Sequence, residues 1–323
     1  MLNSLIKSRQ TSVALLNFVG FLSLVFLSTG KKIDDIHQWN DLLLTGVVFI
    51  WWLLGLIAWG QLLSKRETEF SISMGLGAVF FISTTFTLAQ LGLLLPQTKW
   101  FLAILISLGL MLRGSFLATY RRPPWGVFLF IGMIILLRIA MAMRLLGHGD
   151  ALYYHLEAPR FWLQEGQVAL SPSHPITLLA STWEYLYLWP QLMLTQSPDR
   201  GLALAQWFSQ WIHVLIGFGG TVLAIFSFTK FVTARTELRL FCTALAIGAG
   251  PMIWTAPLAK NDWGATYWLS LSALVLIYSY SKKILNPKAA YLIGLFSAIS
   301  FDTKFTSVFA LLPLLLWILP LLA

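Results

Sequence analysis

The sequence predicts an all-α integral membrane protein with about ten transmembrane helices. Of its 323 residues, 58% are hydrophobic and 11% are charged, whereas about a quarter of the residues are charged in an ordinary soluble domain. The mean hydropathy is +0.75. Many of the 15 Trp and nine Tyr residues stand near the ends of apolar runs, where amphipathic rings favour the headgroup layer. A water-soluble fold could not bury this many apolar side chains.

Ten apolar runs carry the predicted transmembrane helices. Each run approaches the ~20 mostly apolar residues that cross the hydrocarbon core, and a helix pairs its own backbone polar groups in lipid. The first run lacks the small-residue pattern of a signal-peptide cleavage site, so we expect it to stay in the protein as a helix. The runs lie near residues 11–29, 41–63, 71–95, 100–119, 125–146, 201–229, 238–256, 263–281, 289–302 and 305–323.

The positions of lysine and arginine predict the orientation, because short cytoplasmic loops are enriched in these residues. With the N-terminus in the cytoplasm, the inward turns hold Lys65, Arg66, Arg121, Arg122, Lys230, Arg235, Arg239, Lys282, Lys283 and Lys288. The outward loops hold most of the acids, namely Asp34, Asp35, Asp150, Glu157, Glu165, Glu184, Asp199 and Asp262. Lys31 and Lys32 oppose this topology. The topology also explains the net charge of +9 without a nucleic-acid-binding face.

One connection is much longer than the others. Residues 147–200 form an outward loop of about fifty residues, a length that is usually functional or disordered. The loop is rich in aromatic residues, which argues against disorder. Apolar residues from Ala151 to Gln164 and from Thr182 to Thr195 have the spacing of amphipathic helices. We therefore expect two short interfacial helices that lie on the membrane surface.

The densest group of polar side chains opens this loop, in the stretch from Gly147 to Pro159. Glycines on both sides of His148 allow a tight turn. Asp150 follows at the membrane surface, and Arg144 stands shortly before it. The acid is either a functional carboxylate in a cleft between helices or the cap of the helix that follows, and both roles can hold together.

Three segments share their order and spacing with a known family. The first reads Asp-x-Leu-x-Tyr-His-Leu-x-x-Pro from Asp150 to Pro159 and is followed by Trp162 and Gly166. The others are Lys260-Asn261-Asp262 and the stretch from Gly294 to Thr306. Together they resemble the GT-C superfamily of glycosyltransferases, particularly bacterial members related to protein mannosyltransferases and to the lipid A aminoarabinose transferase.

The resemblance covers roughly residues 125–323. It divides the chain into an N-terminal four-helix segment, residues 1–124, and a GT-C-like transmembrane core, residues 125–323, that includes the outer loop 147–200.

The resemblance implies an inverting glycosyltransferase that moves a sugar from a polyprenyl-phosphate donor to an acceptor on the non-cytoplasmic side. Asp150 would deprotonate or orient the acceptor hydroxyl, a role in which a carboxylate contributes about 10²- to 10⁴-fold. Asp262 would be the second catalytic acid. The leaving phosphate needs fixed positive charge, which Lys304, Lys260 or Arg144 would supply.

Other members of the predicted site have positioning roles or simpler interpretations. Tyr154, His155 and Glu184 are expected to contact the acceptor or to hold the loop against the cleft. Alternatively, Glu184 is a solvated surface acid. The simpler alternative for Lys304 is a lysine that snorkels to the headgroups from a helix end. The simpler alternative for Asp262 is an ordinary solvated loop acid.

No metal cofactor is expected. The loop contains the ligand types His148, Asp150, His155, His174 and Glu184, but their spacing matches no recognised metal motif. The single cysteine, Cys242, lies inside an apolar run and is expected to pack there.

The resemblance also predicts location and partners. It implies a bacterial cytoplasmic (inner) membrane protein that binds a polyprenyl-phosphate-linked sugar, membrane lipids, and a lipid, glycan or protein acceptor. One alternative is a transporter or flippase, although no repeated halves are evident. Another is an O-antigen polymerase or ligase, whose arginine-rich outer loops are missing here. A third is an inactive or truncated assembly protein, because family members usually continue with further helices.

Overall fold

The structure is a computed structural model that describes residues 2–29, 38–64, 69–113, 125–142, 154–171, 177, 182–194, 198–248, 255–283 and 285–316. Within these ranges the regular structure is helical, and no β-strand occurs in them. The helices up to the outer loop are α1 (Leu2–Thr29), α2 (Gln38–Ser64), α3 (Phe70–Gln90), α4 (Thr98–Arg113) and α5 (Trp125–Ala142).

The second half of the chain contributes the remaining helices. They are α6 (Glu157–Glu165), α7 (Glu184–Leu194), α8 (Pro198–Ile212), α9 (Gly219–Thr229), α10 (Thr236–Ile247), α11 (Asp262–Lys282), α12 (Pro287–Thr303) and α13 (Val308–Leu316). A π-helical stretch, His213–Phe218, joins α8 to α9, and a 3₁₀ turn, Phe305–Ser307, precedes α13.

Three of the described helices are long and apolar enough to cross a membrane. They are Asn40–Ser64, Phe70–Gln90 and Leu204–Thr229, and they coincide with three of the predicted runs. Shorter apolar helices cover Thr11–Leu27, Ile131–Ala142 and Phe305–Leu314. The all-helical fold and the membrane character are therefore confirmed, and the full number of ten spans stays a prediction.

Helices α2 and α3 pack with their backbones almost in contact. A Cβ atom on Gly60 would overlap the carbonyl oxygen of Ser73, and one on Gly77 would overlap that of Leu56. The hydroxyls of Ser64 and Ser73 are 3.0 Å apart between the same two helices. Small residues at such a contact are typical of membrane helices, because lipid removes the hydrophobic drive and close packing must replace it.

Gly60→Ala is expected to lower the free energy of unfolding by about 1–3 kcal/mol, the usual cost of overpacking. The new methyl group would meet a backbone oxygen, which cannot rotate away as a side chain can. Gly46→Ala is the matched control on the same helix, because no atom lies within 4 Å of its Cβ position. Denaturant unfolding of both variants in detergent makes the comparison, and equal midpoints would contradict this packing.

Basic turns that the sequence assigns to one side of the membrane meet at one end of the helices. Glu69, at the start of α3, accepts hydrogen bonds from Nζ of Lys230 at 2.5 Å and from the hydroxyl of Tyr278. Nζ of Lys288 donates to the carbonyl of Ser64 at 3.1 Å. These contacts join the end of α2 and the start of α3 to the turn after α9 and to the start of α12. The compartment that this end faces stays a prediction.

The outer loop contains the two short helices that its sequence predicts. The first, α6, has a buried face and ends at Gly166, whose φ of 70° is the left-handed conformation that glycine accepts without strain. The carbonyl of Gly166 accepts a hydrogen bond from the backbone N–H of Leu94 at 3.0 Å. The end of α6 is therefore attached to the turn between α3 and α4.

Helix α7 does not lie on a surface as expected. All of its residues except Tyr185 are buried. The ring of Trp189 stacks on Phe81 of α3 with centroids 4.2 Å apart, and its indole N–H donates to the Phe81 carbonyl at 3.3 Å. The prediction of a membrane-surface helix for Thr182 to Thr195 is therefore wrong for Glu184–Leu194, because an interfacial helix keeps a polar face in water and this helix is buried on almost every side.

Candidate functional site

His155 and Glu184 form a buried pair that joins the two helices of the outer loop. Nδ1 of His155 lies 2.5 Å from Oε1 of Glu184, and the two side chains are 8% and 0% exposed. Glu184 is the first residue of α7, and His155 stands just before α6. The pair therefore ties the start of α6 to the start of α7. Glu184 is not a solvated surface acid, so that alternative is wrong.

Tyrosine side chains surround this pair. Burial and the negative charge of Glu184 raise the pKa of Tyr154. Burial and the charges of Asp302 and Glu184 raise the pKa of Tyr185 to about 12. Burial also raises the pKa of Tyr187 well above its usual value. The raised pKa values widen the pH range over which these phenols stay protonated and can donate hydrogen bonds.

A second group of charges lies where α11 begins and α12 ends. Asp262 is the first residue of α11, where a carboxylate complements the positive end of the helix dipole. Its Oδ1 is ion-paired with Nζ of Lys304, the residue directly after α12. The side-chain amide of Asn261 donates to the carbonyl of Thr303 at 2.8 Å. The start of α11 and the end of α12 are thus joined by two contacts, one ion pair and one hydrogen bond.

The backbone around Lys304 is fixed by serine hydroxyls. Lys304 leaves the helix in an extended conformation, with φ −154° and ψ 111°. The hydroxyl of Ser300 donates to the carbonyl of Ala265 in α11 at 2.9 Å. The hydroxyl of Ser307 donates to the carbonyl of Lys304 at 2.7 Å. These bonds aim the Lys304 side chain at the start of α11.

Burial and a second lysine both act on the charge of Lys304. Burial and the positive charge of nearby Lys260 lower the pKa of Lys304. The side chains of Lys304 and Asp262 are 41% and 32% exposed, so the protein does not enclose the pair. An anion bound between the two lysines would relieve their repulsion and stabilise the charged form of Lys304.

Two contacts join the charged group to the buried pair. The hydroxyl of Tyr187 donates to the carbonyl of Lys260 at 2.5 Å. The backbone N–H of Thr182 donates to Oδ2 of Asp302 at 3.0 Å. Glu184 follows Thr182 closely in the chain. The start of α7, the start of α11 and the end of α12 therefore form one continuous site.

The structure thus brings together six of the eight residues that the sequence singles out: Tyr154, His155, Glu184, Lys260, Asp262 and Lys304. Asp262 and Lys304 are partners in an ion pair whose side chains are 32% and 41% exposed, and the simpler roles of a solvated loop acid and a snorkelling lysine stay alternatives. Asp150 and Arg144 lie outside the described residues. The catalytic roles of Asp150 and Asp262, the phosphate-binding roles of the three cations and the acceptor-contacting or loop-positioning roles of the other three residues stay predictions.

Three residues of this region escape prediction from the sequence: Tyr187, Gln210 and His213. Each is buried and donates to a backbone carbonyl of the segment before α11. Gln210 and His213 lie inside the apolar run 201–229. Polar side chains in a membrane helix usually face a partner, so this feature of the sequence could have identified both residues.

The metal-ligating types of side chain are dispersed among the residues that the structure describes. Within them, no group of three or more His, Cys, Asp or Glu side chains is close enough to hold an ion. His148, Asp150 and His174, which the sequence offered as ligand types, lie outside these ranges.

Compared with protein-family models, with curated proteins and with solved structures, the chain shows no match.

Proposed function

We propose that this chain is a membrane glycosyltransferase that uses a polyprenyl-phosphate-linked sugar at the end of the helices where Asp262 and Lys304 meet. In this proposal the site faces the non-cytoplasmic side of a bacterial inner membrane. The acceptor is a lipid, a glycan or a protein.

The observation that carries the proposal is the ion pair between Asp262 and Lys304. Their two segments are far apart in sequence, and the resemblance to GT-C enzymes independently assigns both to one site. The pair stands beside Lys260, which gives two cations at an exposed helix end. A structural ion pair alone would explain the contact but not the second lysine next to it.

The chemistry needs a cationic site for the departing lipid phosphate. As the bond between sugar and phosphate breaks, negative charge grows on the leaving oxygen, and fixed ammonium groups placed beside it stabilise that charge. Lys304 would exchange its Asp262 carboxylate for a phosphate oxygen, with Lys260 as the second contact. Asp262 orients Lys304 before the donor binds.

The acceptor hydroxyl needs a base, because a neutral hydroxyl is a weak nucleophile. Asp150 is the proposed base. Tyr154 is the residue directly before His155 of the buried pair, and its phenol stays protonated. It is therefore a candidate to donate a hydrogen bond to the acceptor substrate. The buried pair itself would hold the loop in place.

The test is release of sugar from a labelled polyprenyl-phosphate donor by the purified protein in lipid nanodiscs. Asp150→Asn is expected to lower turnover by about 10²- to 10⁴-fold, the usual contribution of a general base. Asp41→Asn is the control, because Asp41 is a buried acid in α2 outside the proposed site. Turnover equal to wild type in Asp150→Asn would remove the base, and no turnover in wild type would reject the proposed reaction.

A further inference from the structure

Helices α7 and α8 form a hairpin whose register is set by aromatic contacts. Three residues separate Leu194 from Pro198, and the two helices pack against each other, so they run antiparallel. Trp189 of α7 and Phe208 of α8 both pack on Trp52. The start of α7 therefore lies beside the end of α8.

Buried polar side chains of this hairpin hold the chain segment that leads into α11. The hydroxyl of Tyr187 donates to the carbonyl of Lys260 at 2.5 Å. Nε2 of Gln210 donates to the carbonyl of Pro257 at 3.3 Å, and Nδ1 of His213 lies 3.1 Å from the carbonyl of Ala256.

The three residues are fully buried, at 0% exposure each. They bond three different carbonyls within five residues, 256–260. In membrane proteins every polar group is costly to bury unless it is paired. Each of these side chains offsets part of that cost by its bond to the segment 256–260, so the hairpin and this segment are held in one arrangement.

The geometry around His213 fixes its tautomer. A carbonyl oxygen can only accept, so Nδ1 carries the proton that points to Ala256. His213 also opens the π-helical stretch, a rare geometry that occurs mostly at functional sites. Its ring lies 6.4 Å from that of Trp183, which in turn donates to the hydroxyl of Tyr187 at 2.9 Å.

We infer that Tyr187, Gln210 and His213 are positioning residues that place Lys260 and Asp262 for catalysis. The segment they hold, 256–260, continues directly into Asn261 and Asp262, and Asn261 is bonded to Thr303 beside Lys304. A displacement of the segment 256–260 would therefore move Lys260 and Asp262 relative to Lys304. This inference rests on the proposed function for its catalytic consequence.

Tyr187→Phe tests the inference, and the chain offers a matched control. Tyr267 is also fully buried, and its hydroxyl donates to the carbonyl of Ser71 at 2.6 Å. Tyr267→Phe removes the same type of bond at a place where the acceptor is in α3 and not in the segment 256–260. Both variants are expected to lower the unfolding midpoint.

Two readouts separate positioning from a merely structural role. The first is the acylation rate of Lys260 and Lys304, measured by mass spectrometry relative to the exposed Lys282. Tyr187→Phe is expected to change this ratio several-fold, and Tyr267→Phe is expected to leave it at the wild-type value. The second is turnover per folded molecule, which Tyr187→Phe should lower by about 10- to 100-fold, as a misplacement near 1 Å does.

A conservative variant at His213 supplies a rescue. The amide nitrogen of asparagine lies as many bonds from Cα as Nδ1 of histidine, so His213→Asn can still donate to Ala256. His213→Leu cannot donate. His213→Asn is expected to keep the wild-type acylation ratio, and His213→Leu to shift it as Tyr187→Phe does.

The outcomes distinguish this inference from the proposed reaction. Identical acylation ratios in Tyr187→Phe, Tyr267→Phe and wild type would overturn the positioning role, whatever the activity. Absence of transfer in wild type would reject the proposed function, while a shifted ratio in Tyr187→Phe and its rescue in His213→Asn would still support the positioning of the lysines.

Discussion

Replacing His155 with leucine is expected to lower the free energy of unfolding by about 3–5 kcal/mol. The substitution leaves the fully buried carboxylate of Glu184 without its imidazole partner. Removing one member of a buried pair is costly because the remaining polar group keeps its desolvation penalty and loses a partner that compensates it. Denaturant unfolding of the purified protein in detergent measures the change.

Two control variants isolate the effect of burial. Glu157→Ala breaks the pair between Glu157 and Arg160, which are 3.6 Å apart and 35% and 42% exposed in α6. This exposed pair is expected to contribute less than about 1 kcal/mol. The double variant His155→Leu, Glu184→Leu is expected to recover much of the stability, because an apolar pair often replaces a buried ionic one at little cost. A single His155→Leu that behaves like Glu157→Ala would contradict the buried pair.

The helices were predictable because their signal is local. A run such as 71–95 is apolar over more than the length of a span, and α3 covers Phe70–Gln90. The end of α3 differs because the chain turns at Gly92, which has a φ of 68°. One glycine in an apolar run does not change the hydropathy, so the turn was invisible to the pattern.

The environment of α7 was not predictable for a related reason. Its aromatic and aliphatic side chains suit a headgroup layer and a protein interior equally well, since both are apolar surroundings with scattered polar partners. What decides between them is the packing of Trp189 on Phe81 and Trp52, which are more than a hundred residues away. A linear pattern contains no such contact.

The residues of the site that lie in short sequence motifs were predictable, and the others were not. The motifs named Asp262 and Lys304, and the structure makes them partners. Gln210 and His213 belong to no motif, because their role depends on facing the carbonyls of Pro257 and Ala256 in the segment before α11. Such contacts follow from tertiary packing and not from residue spacing.

Lys304→Gln is expected to lower the turnover of a polyprenyl-phosphate donor by about 10²- to 10³-fold, the usual loss when one group that stabilises developing charge is removed. Glutamine keeps much of the length and the hydrogen-bonding capacity of the side chain but not its charge. Lys288→Gln is the matched control, because Lys288 stands at the opposite end of the same helix and donates to a backbone carbonyl. Equal losses in both variants would point to damage of α12 and not to a role in transfer.

A double-variant cycle with Asp262→Asn then tests whether the acid works through the lysine. If Asp262 only orients Lys304 before the donor binds, Asp262→Asn should lower turnover less than Lys304→Gln. The double variant should then be no slower than Lys304→Gln alone, because residues that act as a unit are not additive. Additive losses, by contrast, would mean that Asp262 contacts the reacting groups itself. In that case the ion pair would be a resting contact between two independent members of the site.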